Sequence, residues 1–176
     1  MSASNMGETA LFNTSGRGKA WDNFIVGGAY QRDLRYWGPL TVAAEMGVAD
    51  RFGKYEVCCQ VMVRTSLIHS GELWGGIALR HEGVVLFSKL RLSTGGAFGL
   101  SAITKSIGGE RGHEIARGGN ARFLFYVAGE LTISDVTMPN YELVTRLHHR
   151  SGAWGTFGSG THEGYNGWIF GLRHRF

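Results

Sequence analysis

The sequence predicts an all-β fold, namely an eight-stranded antiparallel transmembrane β-barrel. Eight segments alternate apolar and polar side chains with a period of two, as strands do. The chain has 28 glycines and only 2 prolines, and glycines within alternating segments are typical of a curved, closed sheet. One face of most segments is apolar and aromatic, whereas the other holds small residues and charges of both signs. An apolar band around a polar interior is the design of outer-membrane barrels.

The first four predicted strands cover residues 22–32, 39–50, 54–66 and 70–81. Each places apolar side chains at alternate positions, so that they share one face of the strand. These faces are Phe24, Val26, Gly28 and Tyr30 in the first strand; Leu40, Val42, Ala44, Met46 and Val48 in the second; Tyr55, Val57, Cys59, Val61 and Val63 in the third; and Leu73, Ile77 and Leu79 in the fourth.

The last four predicted strands cover residues 88–104, 117–134, 141–151 and 167–176. The sixth is the clearest, because its apolar residues strictly oppose Arg122, Tyr126, Glu130 and Thr132. The eighth ends on Phe176, and outer-membrane barrels often end on an aromatic residue. We expect residues 1–19, rich in Gly, Ser and Asn, to form a flexible N-terminal arm, and residues 20–176 to form a single barrel domain.

The lengths of the predicted connections alternate in the second half of the chain. Residues 82–87 and 135–140 form short connections, whereas 104–116 and 152–165 form long ones. In bacterial barrels the short turns face the periplasm and the long loops face outward. The seventh strand is therefore predicted to end at the depth of the outer leaflet.

Composition excludes several classes of protein and leaves one alternative fold open. The net charge of +4 comes without a dense Lys/Arg run, so we expect no nucleic-acid partner. Cys58 and Cys59 point to opposite faces of a strand and form a poor metal site. No secretory signal precedes the first strand. For an exported protein, the sequence would then be the mature part, with or without an added Met. Because periodicity does not fix which face is inside, a soluble lipocalin-like barrel remains the alternative.

The seventh predicted strand carries the candidate chemistry. Its odd positions carry Tyr141, Leu143 and Leu147 together with His149 and Ser151, whereas its even positions include His148 and Arg150. A base and a hydroxyl two residues apart thus share the face on which a fatty chain would lie. We expect His148 and Arg150 to face the barrel interior. This arrangement favours an enzyme that acts on lipid.

The stretch from Glu142 to Gly152 and the ending from Gly171 to Phe176 resemble the lipid A 3-O-deacylase family. The family's His-x-Ser motif falls on His149-Arg150-Ser151, and its acidic third member falls on Glu163. The resemblance is strong from Glu130 to the C-terminus and weaker upstream. It implies an eight-stranded outer-membrane barrel that hydrolyses the ester at position 3 of lipid A without a metal or other cofactor.

The resemblance also implies the roles of the residues. Ser151 would be the nucleophile, His149 the general base and Glu163 the group that orients the imidazole. Gly152 stands where members of the family often have Asn, so the oxyanion donor would be the Gly152 N–H or a residue such as Asn166. The implied partners are lipopolysaccharide and membrane lipids, with a homodimer left open. The alternative is a catalytically weak or non-enzymatic outer-membrane barrel with a structural or lipid-binding role.

Overall fold

The computed structural model describes residues 6–7, 23–53, 67–107, 110–111, 114, 118–152 and 165–176. These residues form an all-β protein of seven long antiparallel strands and one two-residue strand. The strands are β1 (Met6–Gly7), β2 (Asn23–Trp37), β3 (Leu40–Gly53), β4 (Ile68–Leu86), β5 (Leu90–Ile103), β6 (Phe123–Asp135), β7 (Tyr141–Ser151) and β8 (Tyr165–His174). Within this part of the chain, no helix has the length and hydropathy needed to cross a membrane.

The strands form one sheet in the order β1-β8-β7-β6-β5-β4-β3-β2, so every long strand pairs with its neighbour in sequence. The two-residue strand β1, which lies within the segment expected to be a loose arm, pairs with β8 through Met6 and Arg173. It also lies close to β2 at the other edge of the sheet. The sheet is therefore strongly curled, as in a β-barrel.

The predicted third strand needs a correction. Residues 54–66 lie outside the described residues, but β3 pairs directly with β4 from Leu40↔His81 to Gly53↔Ile68. A strand at 54–66 therefore cannot lie between them. The alternating side chains of this segment follow the period of a strand, yet the register of the β3–β4 hairpin places the segment in the connection.

This correction makes the alternation of connections regular. Residues 38–39, 87–89 and 136–140 form short turns at one end of the sheet, whereas 54–67, 104–122 and 152–164 form long connections at the other end. The turn after β4 has Phe87 and Ser88 with φ of 52° and 54°. Two successive positive φ angles match the right-handed twist of a hairpin, although glycine and asparagine usually occupy these positions.

The two faces of the sheet differ in the way the sequence predicts, and the apolar face points outward. Residues such as Val48, Ile77, Phe98 and Leu143 are more than half exposed. The buried face instead carries charged groups of both signs and a histidine: Glu45, Arg51, Glu72, Arg80, Glu142, Arg146, His148, Arg150 and Arg173. A soluble ligand-binding barrel would have the reverse arrangement, so this burial pattern argues against the lipocalin-like alternative.

Ion pairs and hydrogen bonds cross the concave side of the sheet. Glu45 on β3 accepts hydrogen bonds from Trp74 Nε1 at 3.0 Å and Tyr126 Oη at 2.8 Å, and it also pairs with Arg146 on β7. His148 Nε2 lies 2.9 Å from Glu72 Oε1 on β4. β3 is not a neighbour of β6 or β7 in the sheet, and β4 is not a neighbour of β7. The contacts of Glu45 with Tyr126 and Arg146 and of Glu72 with His148 therefore require the polar face to be the interior of the curled sheet.

Small residues make room for the large interior rings. Trp74 and Tyr126 pack with five buried alanines, namely Ala29, Ala43, Ala78, Ala97 and Ala128. Gly47 lies directly below the Trp74 ring, and a Cβ there would stand 2.1 Å from Trp74 Cζ2. Any larger side chain at position 47 would displace the indole that donates to Glu45.

Candidate functional site

The candidate site lies on the outward face of β7, at the end next to the long connections. His149 pairs with Val127 on β6, and Ser151 pairs with Phe125. Both His149 and Ser151 are half-buried, and the outward residue before them, Leu147, is exposed. The two polar side chains therefore share an apolar face of the strand, as the alternation in the sequence predicts.

A neighbouring amide contacts the imidazole of His149. Asn166 on β8 is the register partner of His149, and its Oδ1 lies 2.7 Å from His149 Nδ1. Because an amide oxygen only accepts hydrogen bonds, Nδ1 carries the proton in this contact. In a neutral ring the lone pair then resides on Nε2, which is the tautomer that can accept a proton from a hydroxyl.

The other sequence-predicted site residues are placed as follows. Gly152 is buried directly after the last residue of β7. Glu163, expected to orient the imidazole, lies outside the described residues. Asn166, expected as an oxyanion donor, instead contacts the ring nitrogen that faces away from a nucleophile in a serine–histidine pair. The oxyanion role of Gly152 and Asn166 stays a prediction.

At the same end of β7, charged groups hold the inward side chains in place. His148 and Arg150 are completely buried, as predicted. Arg150 Nε donates to Ser101 Oγ at 2.9 Å, its Nη1 pairs with Glu110, and its Nη2 donates to the carbonyl oxygen of Ala121 at 3.0 Å. Both residues that alternate with His149 and Ser151 along β7 are thus fixed in the interior.

Within the long connection between β5 and β6, Glu114 is held by hydrogen bonds and an ion pair. Glu114, outside the strands, accepts hydrogen bonds from Ser106 Oγ at 2.6 Å and from the Ala121 N–H at 2.7 Å, and it pairs with Arg111. Burial raises the pKa of Glu114, but these hydrogen bonds and the guanidinium outweigh burial, so the pKa is lowered. The carboxylate form therefore holds this segment next to β6.

An apolar groove of about 630 Å³ runs over β3–β6 on the outward face. Its lining includes Ile77, Leu79, Gly96 and Phe98 but not His149 or Ser151. Among the described residues, no cluster of three or more His, Cys, Asp or Glu side chains could hold a metal ion. The described polar groups of the site are the imidazole of His149, the hydroxyl of Ser151 and the amide of Asn166.

The site defines a class, namely a curled β-sheet with a serine and a histidine on its apolar outer wall. No protein-family model matches the chain, and no curated protein matches it.

Sequence reasoning missed two of the contacts at this site. The contact of Asn166 with His149 depends on the register of β7 against β8, which the sequence between them does not fix. The pair of Arg150 with Glu110 joins residues 40 positions apart across the interior. The only indication in the sequence was that Arg150 lies at an even position of the strand. That position predicts an inward side chain but not the residue that it contacts.

Proposed function

We propose that this protein is an outer-membrane β-barrel enzyme that removes the ester-linked 3-hydroxyacyl chain from lipid A. The observation that carries the proposal is the joint position of His149 and Ser151 on the outward apolar face, with Nδ1 of the imidazole held by Asn166. A soluble hydrolase would not expose its nucleophile among apolar side chains. An enzyme whose ester substrate lies in the membrane would.

The membrane location is supported by three features of the fold. The outward face is apolar, the interior is charged, and short turns alternate with long connections. The long strands have at least 10 residues, which is enough for a tilted strand to cross the hydrocarbon layer. In the proposal, β1 closes the sheet to an eight-stranded barrel, and the end of β7 lies in the outer leaflet beside lipopolysaccharide.

The proposed reaction is acyl transfer through a serine ester. Ser151 Oγ attacks the ester carbonyl while its proton passes to His149 Nε2. The tetrahedral intermediate then collapses, the bond to the sugar oxygen breaks, and His149 returns the proton to that oxygen. Water, deprotonated by His149, attacks the acyl-enzyme and releases the 3-hydroxy fatty acid together with free Ser151. No metal takes part in these steps.

Three groups set the rate in this proposal. Asn166 fixes the tautomer of His149, but a neutral amide stabilises the imidazolium less than a carboxylate does. Glu163, at the family's spacing, is the proposed carboxylate. The oxyanion would be held by the N–H of Gly152, and the loss of a side-chain donor at this position costs about 2.7–4 kcal/mol of transition-state stabilisation.

The second candidate function is a barrel of low or no activity that binds lipid or serves a structural role. Two observations favour it: Gly152 supplies no side-chain donor, and the group found on Nδ1 of His149 is the uncharged Asn166. Both weaken the stabilisation of charge in the transition state.

Mass spectrometry of lipid A separates the two candidates. Purified protein, folded in detergent micelles, is incubated with lipopolysaccharide, and the lipid A is then weighed. We expect a loss equal to one 3-hydroxyacyl chain, abolished by Ser151→Ala and retained in the control Ser93→Ala, whose hydroxyl donates to the Glu82 carbonyl oxygen inside the sheet. Unchanged lipid A with the native protein would favour the non-enzymatic barrel. Activity in Ser151→Ala would remove Ser151 from the nucleophile role.

A further inference from the structure

A β-bulge in β4 lies at one end of the apolar groove on the outward face. The register of β4 against β5 shifts between His81 and Val84. Gly83, inside the bulge, has a φ of 84°, and a Cβ there would stand 2.1 Å from the Leu92 carbonyl oxygen. The bulge therefore requires glycine at this position. Bulges change the direction of a neighbouring side chain, and the side chain next to this one is the imidazole of His81.

The backbone of the bulge determines which nitrogen of His81 carries the proton. The Gly83 N–H donates to His81 Nδ1 at 2.9 Å. Because Nδ1 accepts this bond, the proton of the neutral ring is on Nε2, which is then a donor. Ser93 Oγ donates to the Glu82 carbonyl oxygen at 3.0 Å, and the Glu82 N–H donates to the Pro39 carbonyl oxygen at 2.8 Å. The bulge is thus held from both neighbouring strands, and it presents a hydrogen-bond donor at His81.

The groove combines this donor with an apolar wall. His81 and Thr94, which are register partners, line the end nearest the short turns. Leu79, Ile77 and Phe98 line the part toward the middle of the strands. None of the described residues that line the groove is Asp, Glu, Lys or Arg. A groove with two uncharged polar groups at one end fits an amphiphile whose polar end offers an uncharged hydrogen-bond acceptor.

The depth of the polar end indicates which lipid supplies the acceptor. His81 pairs with Leu40, the first residue of β3, directly after the short turn at 38–39. In the proposed membrane location the short turns face the periplasm, so this end lies in the leaflet opposite to the one that Ser151 reaches. That leaflet of an outer membrane consists of glycerophospholipids. Their ester carbonyls lie between the headgroups and the hydrocarbon, and their acyl chains run toward the middle of the membrane.

We propose that the groove is a binding site for a glycerophospholipid of the periplasmic leaflet. The ester carbonyl of the lipid accepts hydrogen bonds from His81 Nε2 and Thr94 Oγ1, and the acyl chain lies along Leu79 and Phe98. This inference rests on the membrane location in the proposed function but not on the deacylase activity. The bound phospholipid is a ligand of the wall and not a substrate.

The test compares two phospholipids that differ only in the proposed acceptor. Folded protein in detergent micelles is titrated with phosphatidylethanolamine whose chains are joined either by ester bonds or by ether bonds. Native mass spectrometry then gives the dissociation constant of each complex. We expect a one-to-one complex with the diester lipid and binding about threefold to tenfold weaker with the diether lipid, because a hydrogen bond between neutral groups is lost.

Two variants remove the proposed donors one at a time. His81→Phe keeps an aromatic ring, and Thr94→Val keeps the shape of an exposed side chain. We expect each variant to weaken binding of the diester lipid about threefold to tenfold and to change binding of the diether lipid by less than about twofold. If His81→Phe does not fold, Thr94→Val decides alone.

The matched control is the same substitution at Thr145. Thr145 lies on the outward face of β7 at the depth of Thr94, since Leu131 is the register partner of both. Thr145 does not belong to the lining of the groove. Thr145→Val should therefore bind both lipids as the native protein does.

A second measurement locates the bound lipid. Phosphatidylethanolamine with a diazirine at the end of one acyl chain is bound and irradiated, and the labelled peptides are identified by mass spectrometry. We expect labels near Ile77 and Phe98, because the chain lies in that part of the groove. Labels spread evenly over the outward face would show only the lipid that surrounds any barrel and would overturn the inference.

The outcomes separate this site from the proposed enzyme. Weaker binding of the diether lipid, with a loss confined to His81→Phe and Thr94→Val, supports the site. Equal affinity for the two lipids, or an equal loss in Thr145→Val, would overturn it. Unchanged lipid A in the deacylase assay would overturn the proposed activity and leave this site intact. Recovery of folded protein from water without detergent would exclude the membrane location and, with it, the phospholipid site.

Discussion

Replacement of Glu45 by glutamine tests whether the interior is a dry, hydrogen-bonded network. Both Glu45 and Arg146 have side chains that are 0% exposed. Three donors converge on Oε1, from Trp74, Tyr126 and Arg146, while Gln31 Nε2 donates to Oε2 at 2.7 Å. The carboxylate thus accepts four hydrogen bonds with its two oxygens.

A glutamine at this position has only one oxygen to offer. If that oxygen faces Arg146, its NH₂ group meets the NH₂ of Gln31, and a flip of Gln31 would break the bond that Arg80 Nη1 donates to Gln31 Oε1 at 3.2 Å. At least one buried group therefore loses its partner, at about 1–3 kcal/mol. The charge on Arg146 also loses its main counterion. Breaking a buried ion pair costs about 3–5 kcal/mol in total, and we expect Glu45→Gln to lower the free energy of unfolding by this amount.

The assay is equilibrium unfolding by urea in lipid vesicles, followed by tryptophan fluorescence. The control is Asp50→Asn, the same change in an exposed pair with His69, whose side chain is 58% exposed. The control should cost about 1 kcal/mol or less, as exposed pairs do. If Glu45→Gln costs no more than Asp50→Asn, water reaches the interior and the network does not hold the sheet in the way described.

Three further predictions concern the site, a connection and the outer wall. Asn166→Ala should slow the labelling of Ser151 by a fluorophosphonate about tenfold or more, because Nδ1 of His149 loses its acceptor. Asn166→Asp is the control, since it keeps an acceptor. Equal slowing in both variants would exclude a role of Asn166 in orienting the ring. The lowered pKa of Glu114 means that its bond from the Ala121 N–H persists above the ordinary carboxyl pKa of about 4.3 and is lost as the pH falls through the lowered value. The NMR shift of the Ala121 amide proton should report this loss, and Glu114→Gln should remove the pH dependence; a midpoint at or above 4.3 would contradict the prediction. Ile77→Arg, at an outward position that is 53% exposed, should lower stability in vesicles by about 2–4 kcal/mol, whereas a change within about 0.5 kcal/mol would indicate a face in contact with water.

The alternation of side chains was sufficient to predict most of the sheet. Tyr141–Ser151 is found at the predicted bounds, and the face predicted to be apolar in each described strand is the outward one. Alternation with a period of two follows directly from strand geometry. The assignment of side chains to the two faces therefore stays correct even where the predicted ends of a strand are wrong. The same rule predicted a strand of the sheet at residues 54–66, which lie outside the described residues. The pairing of β3 with β4 shows that no strand of this segment lies between them, and alternation alone could not reveal that pairing.

The sequence could not determine which side chains meet. The outward position of His149 and Ser151 follows from parity, but the contact with Asn166 follows from the register of a hairpin with a long connection. The turn at Phe87-Ser88 carries none of the glycine or asparagine that normally signals positive φ. Long-range pairs such as Arg150 with Glu110 depend on the curvature of the whole sheet, which no local pattern encodes.

The contacts across the interior have a consequence for the order in which the protein folds. Glu45 meets Tyr126 and Arg146 across 81 and 101 positions of the chain. A single hairpin cannot form either contact, so the network contributes nothing until β3, β6 and β7 are all present and the sheet has curled. The network therefore stabilises the closed sheet and not the isolated hairpins. Contacts between residues so far apart in the chain give a high contact order, which is typical of slow folding.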